Sequence, residues 1–283
     1  MNAERPSRTA HFVALGRALA DAGLSHVAGF SDPTARVFLT DKGHRSLAKT
    51  QRAARERPGG FQTQMARAMA DMIALRTVAI DAAVRDAIAG GARQVVILGA
   101  GYDGRSWRMP ELAGVKVFEV DHPATQTNKR ARLRDLPSPI AIVSFVPINF
   151  ERASLDTALE RAGHDRASPT CWIWEGVVMY LTRDAMRRTL GGLAGRSAPG
   201  STLIVNYHTE HRSWFARLMF RLIGEPQISA WTPEQMAADL GAAGFAVGED
   251  SGMLEWNDRF ARGSARVQRG AYMRIVVAHL NRS

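Results

Sequence analysis

The stretch VVILGAGYDGRSWRM, residues 95–109, decides the fold of this chain. Four apolar residues run directly into Gly99-Ala100-Gly101, and arginines follow within a few positions. A strand that ends in two glycines lets the backbone turn sharply and lets a ligand approach without meeting a side chain. In open α/β sheets, ligands bind at the carboxyl ends of parallel strands. The stretch therefore predicts a strand that leads into a ligand-binding turn, although a tight turn without a ligand would read the same.

The chain beyond this stretch alternates short β-rich runs with helical segments. The other predicted strands are VKVFEVD, IVSFVPI, TCWIWEG, STLIVNY, FAVGED and YMRIVVAHL. Segments with helical spacing separate them, and Thr182 and Thr232 stand where N-caps are expected. This alternation predicts an α/β fold with a seven-stranded, mostly parallel sheet and helices on both faces.

The first 90 residues show helical patterning without a strand signal. Their longest segment is 61–89, and a Pro-Gly-Gly break at 58–60 precedes it. We expect residues 1–90 to form a helical cover on a core of residues 91–283 that is one structural unit, because no flexible linker separates them. No apolar run approaches the ~18 to 20 residues of a membrane span, so we expect a cytoplasmic protein that does not enter a membrane.

Charge and cysteine content narrow the classes of partner. Of 37 basic residues four are lysine, which leaves 33 arginines spread over the whole length behind the formal net charge of +10. Such a scattered excess does not predict a nucleic-acid surface. The densest cluster, Lys129, Arg130, Arg132 and Arg134, is interpreted as the solvated face of a helix. The single cysteine, Cys171, lies in an apolar run and predicts a buried thiol, without disulfides.

A second motif points to an adenosine ligand. The run VFEVDHP places Asp121 twenty residues after Gly101, the spacing at which a carboxylate accepts hydrogen bonds from ribose hydroxyls. Gly99, Gly101 and Gly104 also match the dinucleotide pattern G-x-G-x-x-G. However, Pro110 cuts short the helix on which a pyrophosphate would lie. S-adenosylmethionine is therefore favoured as the cofactor, and an NAD(P)-dependent oxidoreductase remains the alternative.

Four motifs in order then resemble one known family. They are RTVAID (76–81), QVVILGAGYDGRSWRM (94–109), VFEVDHPATQTNK (117–129) and WEGVVMYLT (174–182). Together they resemble the leucine carboxyl methyltransferase family, including its bacterial branch of small-molecule and polyketide-tailoring O-methyltransferases. The resemblance covers about residues 70–190. It implies a class I, Rossmann-like methyltransferase fold and S-adenosylmethionine as cofactor.

The resemblance also implies roles for the matched residues. Arg76 would bind the carboxylate of S-adenosylmethionine, since its guanidinium offers a bidentate fork. The turn Gly99-Ala100-Gly101 would lie under the methionine portion, and Asp121 would hold the ribose.

Three further positions would complete the cofactor pocket. Glu175 would lie near the ammonium group. Asn149 and Phe150 replace the Asp-Leu that many relatives carry, and we expect them to contact adenine through a hydrogen bond and ring packing. Arg105 and Arg108 in the glycine turn either attract an acidic acceptor or are solvated.

Two residues are candidate catalytic groups. His208, in the run NYHTEHR, is a candidate general base for a phenol or alcohol acceptor, whereas a carboxylate acceptor is already ionised and needs none. Tyr180 would reach the acceptor pocket by the family resemblance. Each has a plain alternative, a solvated loop for His208 and packing at a helix start for Tyr180. No metal is predicted, because His208 and His211 lack a further recognisable ligand.

The predicted activity is methylation of a carboxylate, or less favourably a phenol, on a small metabolite such as a polyketide or another natural product. Base methylation is disfavoured, because Trp174-Glu175-Gly176-Val177 replaces the Asn/Asp-Pro-Pro-aromatic turn that stacks a flipped base. Protein carboxyl methylation and non-catalytic binding of the cofactor are two further hypotheses. The predicted partner is an acidic or phenolic small molecule, with neither nucleic acid nor membrane.

Overall fold

The computed structural model describes residues 8–149, 154–209, 228–261 and 272–281. Its strands form one seven-stranded sheet of order β3-β2-β1-β4-β5-β7-β6. They are β1 Gln94–Leu98, β2 Lys116–Asp121, β3 Ile142–Pro147, β4 Thr170–Trp174, β5 Thr202–His208, β6 Phe245–Gly252 and β7 Met273–Leu280. Strands β1 to β5 pair in parallel, whereas β7 runs antiparallel to both β5 and β6. The predicted α/β fold with a mostly parallel sheet is confirmed.

Helices connect the strands and precede the first of them. In chain order they are α1 Arg8–Leu19, α2 Asp41–Glu56, α3 Phe61–Ala89, α4 Arg105–Arg108, α5 Pro123–Arg132, α6 Leu155–Arg161, α7 Arg183–Gly195, α8 Pro233–Ala242 and α9 Met253–Phe260. Both predicted N-caps are confirmed, because Thr182 accepts from the N–H of Ala185 at 3.2 Å and Thr232 from that of Gln235 at 3.3 Å. In the described ranges, no helix has the length and apolar character required to cross a membrane.

Two apolar layers cover the two faces of the sheet. Alternate strand residues point to opposite faces, so Ile97 joins the layer under α1 and α3, whereas Val96 joins the layer under α7 and α8. The first layer includes Leu75 and Ile80 of α3, and the second includes Leu190 of α7. Residues of the first 90 positions thus share a continuous core with the sheet.

Two predictions about single residues have opposite outcomes. Cys171 is fully buried, as predicted, and burial raises the pKa of its thiol to about 12. The interpretation of the basic cluster as a solvated helix face is wrong for Lys129, which is 1% exposed. Its ammonium lies 2.5 Å from Glu119 Oε2 and donates to the carbonyl of Asp103 at 2.7 Å. The long stem of Lys129 reaches under the glycine turn, while Arg130 on the same helix is exposed.

Candidate active site

The predicted site lies where the strand order reverses. The chain leaves β1 toward β2 on one side and leaves β4 toward β5 on the other, so the carboxyl ends of β1 and β4 border a crevice. The turn 99–101 follows β1, Asp121 ends β2 and Glu175 follows β4. Three segments that are distant in sequence therefore meet at one edge of the sheet.

Asp121 is bonded to the glycine turn. Its Oδ2 accepts from the N–H of Gly101 and its Oδ1 from the N–H of His122, both at 2.5 Å. Burial raises the pKa of Asp121, and the two backbone bonds oppose that rise. A carboxylate oxygen has two acceptor positions, so each oxygen keeps one for a hydroxyl donor. The carboxylate is thus held in a fixed orientation at the tip of β2.

Position 99 requires a glycine because of its backbone conformation and its close packing. Gly99 has φ 64° and Gly101 has φ 47°, both in the left-handed region that favours glycine. A Cβ on Gly99 would lie 2.4 Å from Cγ2 of Val177, whereas one on Gly101 would meet nothing nearer than Ala10 Cβ at 3.6 Å. The loop after β4 therefore packs directly on the turn after β1. Ala100 between the glycines is buried and donates to a β2 carbonyl at 3.0 Å.

Arg76 and Glu175 form an ion pair. Nε of Arg76, on α3, lies 2.8 Å from Oε1 of Glu175, and both side chains are mostly buried. This bond uses Nε of Arg76, so its two Nη groups are the donors that could bind a further carboxylate. The sequence assigned these two residues to opposite charges of one ligand. The structure brings them into contact with each other.

Both interpretations of Arg105 and Arg108 are wrong, because neither side chain is solvated or open to an acceptor. Arg105 is 2% exposed, and its guanidinium contacts Asp81, Asp103 and Glu175. Arg108 bonds Asp81 at 2.6 and 3.0 Å. Burial lowers the pKa of Arg105, but Asp103, Glu175 and Asp81 together raise it well above its usual range. Both arginines are buried here because carboxylates surround them.

Segments of the first 40 residues lie directly over the glycine turn. Arg17 donates to the carbonyl of Tyr102 at 2.5 Å and pairs with Asp32 at 2.9 Å. The ring of Tyr102 stacks on Phe38, with centroids 4.9 Å apart and an interplanar angle of 11°. A Cβ on Gly104 would lie 1.9 Å from Oγ1 of Thr34. These contacts join the segment that follows the turn to the first 40 residues.

The candidate catalytic residues lie at the same edge of the sheet, next to the carboxyl end of β4. His208 ends β5 and is 4% exposed, so the solvated-loop interpretation is wrong. Its ring meets that of Tyr272 edge-on, with centroids 4.8 Å apart. Burial raises the pKa of Tyr272; Arg76 opposes this rise and Tyr180 adds to it, so both lie within electrostatic reach of Tyr272. Tyr180 is half-buried in a 3₁₀ turn after β4.

The remaining predicted residues are only partly within the described ranges. Asn149 is half-buried and follows Ile148, whose N–H donates to the backbone carbonyl of Asp121 at 2.9 Å, so Asn149 lies beside the tip of β2. Phe150 and His211 lie outside the described residues. Within those residues, no group of three His, Cys, Asp or Glu side chains could hold a metal ion.

Sequence reasoning missed several residues of this site. Asp81, Asp103 and Tyr272 were not singled out, and Arg105 was given no ion-pair role. Asp81 and Arg105 both lie inside motifs that carry the family resemblance, which is the one signal that could have marked them. Tyr272 precedes an apolar strand and carries no such signal.

Comparisons with known proteins point to one family. Residues 10–194 match the family model of leucine carboxyl methyltransferases. A Mycobacterium tuberculosis protein is 35% identical over 204 residues, which cover 71% of this chain and 64% of that protein. A Mycobacterium marinum protein is 35% identical over 215 residues, 74% of this chain and 68% of its own. The names of both assign them provisionally to the S-adenosyl-L-methionine-dependent methyltransferases. The chain thus spans less than two thirds of the length of the first of these relatives.

Solved structures with low identity share the fold. A DUF574 family protein from Streptomyces avermitilis has a TM-score of 0.57 at 15% identity, covering 94% of this chain and 97% of its own. Magnesium protoporphyrin IX methyltransferase from Synechocystis, solved with bound S-adenosylhomocysteine, has a TM-score of 0.50 at 14% identity, covering 84% and 94%. The predicted family and the class I methyltransferase fold are confirmed, and the chain belongs to the leucine carboxyl methyltransferase family.

Proposed function

We propose that this protein is a cytoplasmic S-adenosylmethionine-dependent O-methyltransferase that methylates a carboxylate on a small acidic metabolite. The observation that carries the proposal is the Arg76–Glu175 pair at the reversal point of the sheet, on the same edge as Asp121. A cation, an anion and a fixed ribose acceptor there match the three polar parts of an adenosyl amino acid.

The residues present suit this cofactor in charge and in shape. Arg76 would take its carboxylate through the Nη groups, Glu175 would take its ammonium, and Asp121 would accept from its ribose hydroxyls. The backbone of the turn 99–101 would lie along the methionine portion, and Asn149 beside the tip of β2 would contact adenine. When bound, the cofactor supplies a methyl group on a positively charged sulfur.

The protein's own residues would orient the acceptor and exclude water. Alignment of two reactants in a closed site supplies up to ~7 to 11 kcal/mol of a barrier. A carboxylate acceptor is ionised at neutral pH, so the transfer needs no general base. His208 and Tyr180 would then shape the acceptor pocket together with Tyr272. For a phenol acceptor, His208 would instead take the hydroxyl proton.

The dinucleotide alternative is weakened by the helix after the glycine turn. That helix, α4, has only four residues and ends before Pro110. A pyrophosphate site uses the N-terminus of a long helix in this position. Methylation of a protein carboxyl group remains a lesser alternative.

The cofactor assignment is tested by titration calorimetry with S-adenosylhomocysteine and with NADH. We expect the wild-type protein to bind the first and not the second. Asp121→Asn should weaken binding of S-adenosylhomocysteine about tenfold, because a charged acceptor of ribose hydroxyls becomes neutral. Asn has one oxygen where Asp121 uses two to accept from the N–H groups of Gly101 and His122, so urea unfolding must first show that the variant is folded. Asp156→Asn, at the opposite end of the sheet, is the matched control. Binding of NADH alone, or full affinity in Asp121→Asn, would refute the assignment.

The acceptor class is tested by transfer of a labelled methyl group to a panel of small carboxylic acids and phenols. A methyl ester releases the label as methanol in alkali, whereas an aryl methyl ether keeps it. We expect alkali-labile product, and we expect His208→Gln to retain activity with an unchanged pH profile. An alkali-stable product whose formation requires His208 would assign a phenol acceptor instead.

A further inference from the structure

Arg105 contacts Glu175 through Oε2, the carboxylate oxygen that Arg76 does not bond. Its Nη1 donates to Oε2 of Glu175 at 2.9 Å, and its Nε donates to Oδ1 of Asp81 at 2.7 Å. Its Nη1 also bonds Asp103. The side chain is 2% exposed, so it does not contact solvent or an acceptor. Any effect of Arg105 on ligand binding therefore passes through the carboxylates around it.

Two arginines contact Glu175, each at a different carboxylate oxygen. Arg76 holds Oε1 and would also receive the cofactor carboxylate, whereas Arg105 holds Oε2 and is bound only by protein groups. We propose that Arg105 is a positioning residue that holds the Glu175 carboxylate in place, as a charged group, to receive the cofactor ammonium. This inference rests on the proposed function.

The position of Arg105 is itself set by its neighbours. Asp81 is fixed from the other side by two bonds from Arg108, and Asp103 accepts from the backbone N–H of Arg105 at 2.7 Å. A planar guanidinium reaches carboxylates in three directions at once, which an ammonium on a flexible stem does not. Arg105→Lys therefore keeps the charge but loses the orientation of Glu175.

The charges that face Glu175 come from two regions. Arg76 faces it from α3, whereas Arg105 at the start of α4 and Asp103 just before that helix face it from the segment after β1. Burial raises the pKa of Glu175, but Arg105 first and Arg76 second lower it, against a smaller rise from Asp103, and the net direction is downward. Arg105→Lys loses the hydrogen bond and moves the positive charge away from the carboxylate, so it weakens the larger of the two opposing effects.

Arg108 provides a matched control on the same helical turn. It is almost as buried as Arg105 and bonds the same Asp81, and its other described ion-pair partner is Asp32 at 3.6 Å. Its described ion pairs do not include Glu175. Arg108→Lys therefore disturbs the same buried network without changing a contact of Glu175.

The experiment measures the Kd for S-adenosylhomocysteine by calorimetry from pH 5 to pH 8. Relative to wild type, Arg105→Lys should raise Kd about tenfold at pH 7, and the ratio should grow toward pH 5 as Glu175 takes up a proton. Arg108→Lys should stay close to wild type at every pH. The ratio to wild type cancels titration of Asp121, which both variants retain.

A double-mutant cycle with Glu175→Gln separates positioning from general loosening. Glu175→Gln does not titrate, so adding Arg105→Lys to it should cause no further loss and no pH-dependent ratio. If Arg105→Lys does not fold, the double variant Arg105→Gln with Asp103→Asn is used in its place. This double variant removes one buried cation and one buried carboxylate together. Failure of the wild type to bind at any pH refutes the proposed function. Wild-type binding with equal, pH-independent ratios in Arg105→Lys and Arg108→Lys refutes the positioning role alone.

Discussion

The two ends of the sheet satisfy their buried polar groups by different means. At the amino end, Gln94 donates to the carbonyls of Asp165 and Ser168 at 2.5 and 3.2 Å, and the N–H of Thr170 donates to Ser201 Oγ at 3.0 Å. These are neutral hydrogen bonds. At the carboxyl end, Arg105 and other cations are buried among carboxylates.

Neutral hydrogen bonds reduce the stability of a fold less than buried ion pairs do, because they require no desolvation of full charges. Each buried ion costs several kcal/mol of desolvation, and a buried ion pair often stabilises a fold no better than apolar residues of similar volume. The amino end does contain one buried cation, Arg196, but its partner Asp156 is 48% exposed. Dense burial of full charges is therefore confined to the end that carries the proposed cofactor site, within the described residues. The charged end is the one to which we assign the cofactor, so the proposed function gives this costly network a role in binding a charged ligand.

The largest expected effect tests this contrast directly. Asp81→Asn removes the carboxylate shared by Arg105 and Arg108, so two buried cations lose a partner. We expect a loss of about 3–5 kcal/mol in the free energy of unfolding, measured with urea. Asp156→Asn at the other end should cost less than about 1 kcal/mol, because its ion pairs are partly exposed. Similar losses in both variants would remove the distinction between the ends.

The pH dependence of Asp81 has a definite sign. Burial raises its pKa, but Arg108 and Arg105 lower it, and the net direction is below the usual value. Asp81 therefore contributes stability that is present above the pKa of the unfolded chain and is lost as the pH falls through the folded value. Asp81→Asn should abolish this part of the acid sensitivity.

A smaller loss of stability should distinguish two glycines that both require a positive φ. Gly99 has φ 64° and Gly200, at the amino end, has φ 85°. Either Gly→Ala substitution costs about 1–2 kcal/mol of backbone strain. Only the Cβ on Gly99 overlaps a neighbour, Val177 Cγ2 at 2.4 Å, while that on Gly200 has nothing nearer than 3.9 Å.

Overpacking adds about 1–3 kcal/mol, so Gly99→Ala should be less stable than Gly200→Ala by that amount in urea unfolding. The double variant Gly99→Ala with Val177→Ala should recover much of the difference. Equal stability of the two single variants would show that the contact between the β4 loop and the β1 turn is not tight.

The sheet could be predicted from the sequence because its signals are local. Each strand is a short apolar run bounded by turn residues, and the spacing between Gly101 and Asp121 follows from one strand-helix-strand unit. Helix α9 was not predicted. It follows β6 directly, and its N-terminus depends on Glu255 accepting from the N–H of Gly252 at 3.1 Å rather than on a Ser or Thr cap.

The charged network could not be predicted, because its pairs are distant in sequence. Arg76 and Glu175 are 99 residues apart, and Arg105 and Asp81 are 24 apart. An arginine in a glycine-rich turn has the same local pattern whether it is solvated or buried. The packing of α3 against β4, β5 and β7 decides between the two, and that packing is a property of the whole fold.

The smallest expected effect concerns the acid response of the two ends. At the amino end, His164 contacts Thr170 Oγ1 at 3.1 Å and accepts from Arg196 Nε at 3.3 Å. Burial first and Arg196 second lower the pKa of His164 to about 4. Between pH 6.5, the usual pKa of histidine, and about pH 4, His164 therefore binds a proton in the unfolded chain but not in the folded chain. Stability should fall as the pH drops through this window.

His164→Asn should make that fall shallower, by less than about 1.4 kcal/mol per pH unit, which is the limit for one proton. Asp121 has the opposite sign, because burial raises its pKa and the folded chain gains stability as the pH falls through the folded value. Asp121→Asn should therefore make the fall steeper. Urea unfolding of both variants between pH 4.5 and 7 measures the two slopes. Parallel profiles for His164→Asn and wild type would mean that His164 titrates alike in both states, and the amino end would then hold no buried neutral histidine.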